Sequence, residues 1–571
     1  MKMTKIAAIL PLLMVGAVSA AAQDPFYSIS EVVSAANIGS ANYGPWALSI
    51  SGDGAEIASV AVKSDWYHYF HMSPSGMDLA HRFHYENGCT ALLSSTTCKN
   101  YLETSNWTAT WFSDLSSNVD QTFNVTSSTV TAESAGIITK YGSDTSAITS
   151  VGYMSLASHN REAVATLPSA TAYLNTVNGT GYAFASAYDI VPAGSNYLVV
   201  GTAGAQKATA YNNCYNGNSE IQTYSPYCPG YETQAAFWLV NASGTPSSSL
   251  LATSHNTSTS TNYPYTASAM GVAKVGSEYI AVGYSATVGY GIGSTSSLPK
   301  NVAAFWKLGD GSLSTTPTTS LVFANDSDNP GTNSDYTIDN SWAVGVNSNG
   351  YIVGNRSYRA KESRNYPTKM FIAKYSSSSD AISSTTTPIT TSSVNSEAAA
   401  VNNADQVVGW TDERGVTSQP VFGSVSRLQE AFIYNINTGN RYALNDLICS
   451  LDSAGAKSCV QNGKYYYIEY ANGITDDGTI VASARRFDSY TDWSTLSNGT
   501  NVVVKLSVSS STAFDSNHDI PAGYVVANQL PVFDYGASDS SGGGSFGIFG
   551  LLAMAGAAAV GQYRRFVKKG S

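Results

Sequence analysis

Residues Trp342-Ala-Val-Gly-Val-Asn-Ser-Asn-Gly-Tyr-Ile-Val-Gly354 read as strand, tight turn, strand. Ala343, Gly345 and Asn347 alternate with Val344 and Val346, the period of an extended chain. Asn349-Gly350 supplies residues that tolerate φ > 0 at a hairpin turn, and Tyr351-Ile-Val starts the return strand. Met370-Phe-Ile-Ala-Lys-Tyr375 reads as a third strand.

Weaker copies recur along the chain. Trp46 to Ala58 turns at Gly52-Asp53-Gly54; Ala135 to Thr139 with Ala147 to Gly152 is the poorest match. Ala187 to Val191 leads into Asn196 to Gly201, and Ala269 runs through to Gly283. After the copy at Trp342 come Ala399 to Gly409 and Ala471 to Ala482. Most copies are followed by an aromatic strand such as Ala235-Ala-Phe-Trp-Leu239, Ala303-Ala-Phe-Trp-Lys307 or Glu430-Ala-Phe-Ile-Tyr434. A repeat of this size marks one supersecondary unit that cannot bury its apolar face alone, and four short strands need about 40–50 residues. The expected fold is therefore all-β: a β-propeller of about seven blades with loop insertions, six or eight also fitting. A β-solenoid or two packed sandwiches are the alternatives. Ala and Gly suit inner strands that approach closely, while the aromatics read as filling between blades rather than as a ligand platform.

Of 571 residues only 12% are charged, while Tyr (37) and Gly (49) are abundant; 43% apolar residues argue for a folded body. Lys2 and Lys5, the apolar run Ile6 to Val18 and small residues at Val18-Ser-Ala20 or Ala20-Ala-Ala22 make residues 1–22 a cleaved secretory signal. The expected layout continues with the repeat domain at 23–535, a Gly/Ser neck at 536–545 and an apolar tail at 546–571. The end segments 1–22 and 546–571 hold Lys2, Lys5, Arg564, Arg565, Lys568 and Lys569 and no acid. The net charge of −11 therefore becomes −17 for the body between them. Such a surface repels nucleic acid and anionic lipid and attracts divalent cations or basic partners.

The cysteines fall into neighbouring pairs: Cys89 with Cys98, Cys214 with Cys228, and Cys449 with Cys459. In an exported chain the simplest pairing is three local disulfides; zinc is the rival reading, but there is no Cys-x-x-Cys.

At the C-terminus, Gly542, Gly543 and Gly544 precede an apolar run from Phe546 to Val560, then Arg564-Arg565 and Lys568-Lys569. A glycine neck, a short apolar segment and a basic stop held inside form a sorting tail. It resembles the GlyGly-CTERM tails of Gram-negative bacteria. That resemblance implies export, often by type II secretion, cleavage by the intramembrane protease rhombosortase, transient membrane contact through the tail, and attachment at the cell surface. A permanent single-span anchor is the alternative, for which some 15 apolar residues are short. The repeat units resemble bacterial HAF-type extracellular repeats. The layout is similar to an uncharacterised family of GlyGly-CTERM surface proteins, which brings no catalytic residues to transfer.

The histidine-rich stretch Trp66 to His84 reads as a hairpin turning at Ser73-Pro-Ser-Gly76. Pairing Met72 with Met77 sets His68 opposite His81, while His71 and His84 share the other face, opposite Asp78 and Asp65. Cross-strand neighbours are close enough to share a transition metal, although aromatic hairpins also carry histidines as half-buried polar rings. Two acidic loops, Asp326 to Gly331 and Asp515 to Asp519, have oxygen donors suited to weak calcium binding or to plain turns. No cofactor is otherwise expected. The chain has no Gly-x-Ser-x-Gly, His-Glu-x-x-His, P-loop or dinucleotide fingerprint. The sequence thus points to a surface binding or scaffold protein for a glycan, matrix component or protein. A secreted hydrolase or lyase acting on polysaccharide or peptide, with its site at the propeller axis, is the alternative.

Overall fold

The structure, a computed structural model, describes residues 23–33, 43–50, 52, 54, 56–62, 119–120, 123–125, 134–141, 148–156, 159–164, 175–177, 180–182, 185–207, 231–241, 246–252, 254–255, 267–288, 299–323, 336–360, 368–389, 395–412, 429–453 and 457–521. They are strands and connections, with two short helices, Leu444–Leu447 and Tyr490–Thr495. The chain is all-β, built from several small antiparallel sheets.

Among the described residues seven sheets of three or more strands follow one another, and two two-stranded ribbons, Asn175–Val177 with Thr180–Tyr182 and Ser450–Leu451 with Lys457–Ser458, stand beside them. Sheet 1 starts with Tyr43–Ile50 and Glu56–Val62; sheet 2 is Ser134–Tyr141, Ile148–Leu156 and His159–Val164. Sheet 3 runs Ala185–Ala193, Asn196–Lys207, Tyr231–Asn241 and Pro246–Ala252; sheet 4 runs Ala267–Val275, Glu278–Val288, Pro299–Lys307 and Ser320–Leu321. Sheet 5 is Tyr336–Val346, Tyr351–Ala360, Thr368–Ser376 and Ala381–Thr386; sheet 6 is Ser396–Val401, Gln406–Asp412, Gln429–Asn435 and Arg441–Ala443. Sheet 7 holds Lys464–Ile474, Ile480–Phe487 and Thr500–Val508, and its far edge is the N-terminal strand Tyr27–Val33, antiparallel to Thr500–Val508. The first strand of each sheet packs on the first strand of the next, and that of sheet 7 packs on that of sheet 1.

The repeat explains itself in backbone terms. In six of the seven sheets the first strand carries a β-bulge at the residue after the motif alanine: Ala47/Ser49, Ala187/Asp189, Ala269/Gly271, Ala343/Gly345, Ala398/Ala400 and Ala471/Gly473. The simple alternation through Val344 is therefore broken, because Val344 is the extra residue that opposes no partner. Opposite the alanine lies the residue that closes the motif, Gly283, Gly354 or Gly409. A methyl group there would sit inside the carbonyl oxygen of Ser268, Trp342 or Glu397. The residue after the bulge is small where adjacent sheets meet: a Cβ on Gly271 would lie 2.9 Å from Gly345 Cα, and one on Gly473 the same distance from Ile50 Cγ2.

In sheets 5 to 7 the first hairpin turns are three-residue loops rather than the two-residue turn that Asn349-Gly350 suggests, whereas sheets 3 and 4 turn in two residues, Gly194-Ser195 and Gly276-Ser277. Of Asn349 and Gly350 only Gly350 has positive φ (80°), and the backbone N–H of Gly350 donates to Asn347 O at 2.9 Å. Asn347 Oδ1 then accepts the N–H of Tyr351 at 2.9 Å. Asn402 does the same for Gln406, and Thr475 Oγ1 for Thr479. The asparagines also reach across sheets: Asn347 Nδ2 donates to Asn402 O and Asn402 Nδ2 to Thr475 O, both at 2.9 Å. In sheet 6 the N–H of Ile436, in the connection between the third and fourth strands, donates to Asp405 O in the first turn. The turns thus share one end of these sheets, and antiparallel order puts the connections between second and third strands at the other.

The aromatic strands pack inside. Phe237, Trp238, Trp306, Phe371 and Phe432 are fully buried, and Phe237 meets Trp306 edge to face between sheets 3 and 4 at 5.9 Å. Of the three expected disulfides, the one between Cys449 and Cys459 lies among the described residues, and it is formed.

Candidate functional site

Sheets 6 and 7 enclose a group of ionisable side chains that departs from ordinary core chemistry. Glu397 sits beside the motif alanine of sheet 6, cross-strand from Trp410. Glu469 is the extra residue of a second bulge in sheet 7, between Ile468 and Tyr470. Its Oε1 forms an ion pair with Arg485 Nε at 2.6 Å. Tyr470 lies between them: its hydroxyl donates to Gln429 Oε1 at 3.0 Å and its ring meets Trp410 edge to face at 6.1 Å. Nearby, Asp412 Oδ2 accepts the backbone N–H of Asn395 at 2.9 Å.

Burial governs the protons here. It pushes the Glu397 carboxyl up to about 7, with Trp410 acting the other way. It raises Glu469 too, with Arg485 acting the other way. The Tyr470 phenol is pushed well above its usual value by burial and then by the Glu469 charge. One carboxyl able to hold a proton near neutral pH, a guanidinium-paired carboxylate and a phenol are groups that general acid–base chemistry uses. Trp410 and Tyr470 are themselves buried, so the group is packed between the sheets.

A second buried carboxylate bridges sheets. Asp189, beyond the bulge of sheet 3, accepts the N–H of Ile190 at 2.9 Å and that of Val272 in sheet 4 at 2.8 Å. Burial still holds it up to about 6.

The sequence-derived candidates fall differently. His68, His71, His81 and His84 lie outside the described residues, as does the loop at Asp326. So do Cys89 and Cys98, and Cys214 and Cys228, so two of the three expected disulfides fall there. The signal segment and Gly542, Gly543, Gly544, Arg564 and Arg565 of the sorting tail are outside them as well. In the Asp515 loop, Asp515 Oδ1 accepts the N–H groups of Asn517 and Asp519, while Asp519 Oδ2 accepts from Thr438 and Asn440. These are turn bonds like those at Asn347. Among the described residues no group of three metal-ligating side chains converges, and no helix is long and apolar enough to cross a membrane. Glu397 and Glu469 had one available signal, a charge inside an otherwise apolar strand.

Residues 155–528 match the model of a family described as protein of unknown function (DUF3466). No curated protein matches the chain. Among solved structures it is similar to a polysaccharide lyase, a PL25 ulvan lyase bound to -[GlcA(1-4)Rha3S]-, at 9% identity and a TM-score of 0.25. That match covers 52% of this chain and 63% of the lyase. It is also similar to a luciferin-regenerating enzyme, at 8% identity and a TM-score of 0.22 over 62% of this chain and 84% of that one. Likeness this distant transfers neither fold nor chemistry.

Proposed function

The chain belongs to the DUF3466 family of unknown function, and on that premise we propose that it is an exported, cell-surface β-propeller that binds ligand through loops gathered at one end. Seven successive sheets, first strands packed in order, and an N-terminal strand completing the last sheet support the propeller reading. One observation carries the binding reading. The turns joining first and second strands are short and, in sheets 5 to 7, tied across sheets, whereas the long connections between second and third strands (63–118, 208–230 and 413–428) leave from the other end. Loops set on a rigid scaffold are where recognition concentrates.

The test is binding of the purified full chain to a glycan array and to matrix proteins, beside a hydrolase and lyase panel. Saturable binding lost when 208–230 is replaced by a short Gly-Ser linker, without loss of thermal stability, is the expected result. Absence of binding to every class would sink the reading. The alternative, a hydrolase or lyase, is favoured by Glu397, Glu469 and Tyr470; turnover abolished by Glu397→Gln would establish it. Export and tethering rest on the two ends of the sequence. In a Gram-negative host, N-terminal sequencing should place the mature start near residue 21 or 23. Replacing Gly542 to Gly544 by leucine should prevent release of the tail.

A further inference from the structure

Among the described residues the exposed large hydrophobics are Tyr490 (62% exposed) and Val460 (42%). Both border one residue. Val460 pairs in register with Tyr465, and the Tyr465 ring lies 6.0 Å from that of Tyr490. Trp493 completes the group, stacked on Tyr465 at 5.5 Å and an interplanar angle of 27°, and 5.8 Å from Tyr490. Tyr465 is at the start of the first strand of sheet 7, and Tyr490 and Trp493 are in its connection between second and third strands. All three therefore belong to the end proposed above for binding, and the inference rests on that reading.

The group is held rigid. Trp493 Nε1 donates to Tyr466 O at 3.0 Å, and the Ser489 hydroxyl caps the short helix by accepting the N–H of Asp492 at 3.1 Å. The Cys449–Cys459 disulfide ends one residue before Val460. On the same sheet and connection are Lys464 with Asp488 at 2.8 Å, Arg486 with Glu31 at 3.0 Å, and Asp492. Two cations and three acids in these neighbouring residues leave no positive excess of the kind an acidic ligand would need.

We propose that Tyr490, backed by the stacked pair Tyr465 and Trp493, forms a platform for a neutral saccharide, one pyranose ring lying on the exposed tyrosine ring while its hydroxyls bond to neighbouring polar groups. Pre-ordered tyrosine and tryptophan supply flat contact area at little entropic cost. The negative face of each ring attracts the polarised C–H face of a sugar. A protein partner fits this patch less well, because the two exposed apolar side chains among the described residues fall far short of the roughly 800 Å² per partner of a stable interface.

The experiment is calorimetric titration of the purified full chain with cellohexaose, chitohexaose and a neutral galactan, after array screening. Tyr490→Ala, at an exposed position, should weaken binding tenfold or more with the melting temperature unchanged. Tyr490→Phe should stay within about threefold, since the ring and not the hydroxyl carries the contact. Unaltered saccharide binding by Tyr490→Ala, with loss on replacing 208–230, would overturn the platform and leave loop-end binding standing. Binding to proteins but to no saccharide would overturn the ligand class. Binding to nothing would overturn both readings.

Discussion

Gly283, Gly354 and Gly409 are demanded by their neighbours, because a bulge in the facing strand drives a carbonyl oxygen to where a side chain would begin. Substituting alanine at any of them should cost about 3 kcal/mol, at the upper end of overpacking penalties. Urea unfolding of each variant measures this. The same position in sheet 7 is Ala482, so its local backbone already accommodates the methyl. Ala482→Gly should cost only about 1 kcal/mol. Glu397 gives the second expectation. Its carboxyl is raised from 4.5 to about 7 by burial, so the folded chain keeps a proton that the unfolded chain releases. That stability is fully present below about pH 4.5 and is lost as pH rises through about 7, a total of about 3 kcal/mol. Melting temperature against pH should therefore fall across this window in the wild type and be flatter in Glu397→Gln. A weaker decline between about 4 and 6 should persist from Asp189, which is raised to about 6. The glycines were legible in sequence as the closing letter of a repeat. Their steric reason was not, because it depends on a bulge that leaves no mark in polarity alternation.

At the level of elements, the hairpin turn is both a local and a long-range device. Asn402 Oδ1 accepts the N–H groups of Ala404 and Gln406, closing its own turn, while Nδ2 donates to Gln406 Oε1 and to Thr475 O of the next sheet. Asn402→Ala leaves several buried polar groups without these partners and should cost about 2–3 kcal/mol. Hydrogen exchange should quicken at Ala404 and Gln406, and the carbonyl partner predicts a parallel loosening of the turn at Thr475. If only the turn containing Asn402 loosens, the cross-sheet bond contributes nothing. The sequence announced most of the turns through Gly, Asn and Asp at the loop positions and placed the seven starting hairpins, including the poor copy now seen at Ser134–Tyr141 and Ile148–Leu156. It could not announce the bridge, since donor and acceptor are 73 positions apart. Glu397 and Glu469 were missed for the same reason: each looks like an isolated charge until the fold sets both against Tyr470.

Across the whole described body, the first and last described strands meet in one sheet. Tyr27–Val33 pairs with Thr500–Val508, the Tyr27 hydroxyl donates to Gly478 O at 3.2 Å, and the Gln461 amide accepts from Ile29 N and donates to Tyr27 O. Phe26, Tyr27 and Ile29 lie in the core of sheets 6 and 7. No repeat letter marks this strand, because it lacks the hairpin that identifies the others; only pairing across nearly the full sequence reveals it. Its removal would strip the edge of Thr500–Val508 and uncover apolar core at once, inviting edge-to-edge association. A chain lacking residues 23–33 should therefore lose cooperative unfolding and aggregate at concentrations where the intact chain stays dispersed. A synthetic peptide of residues 23–33 added during refolding should restore a single transition, with a midpoint that rises with peptide concentration as mass action requires. An unchanged melting transition in the deleted chain would mean that the N-terminal strand merely decorates the last sheet.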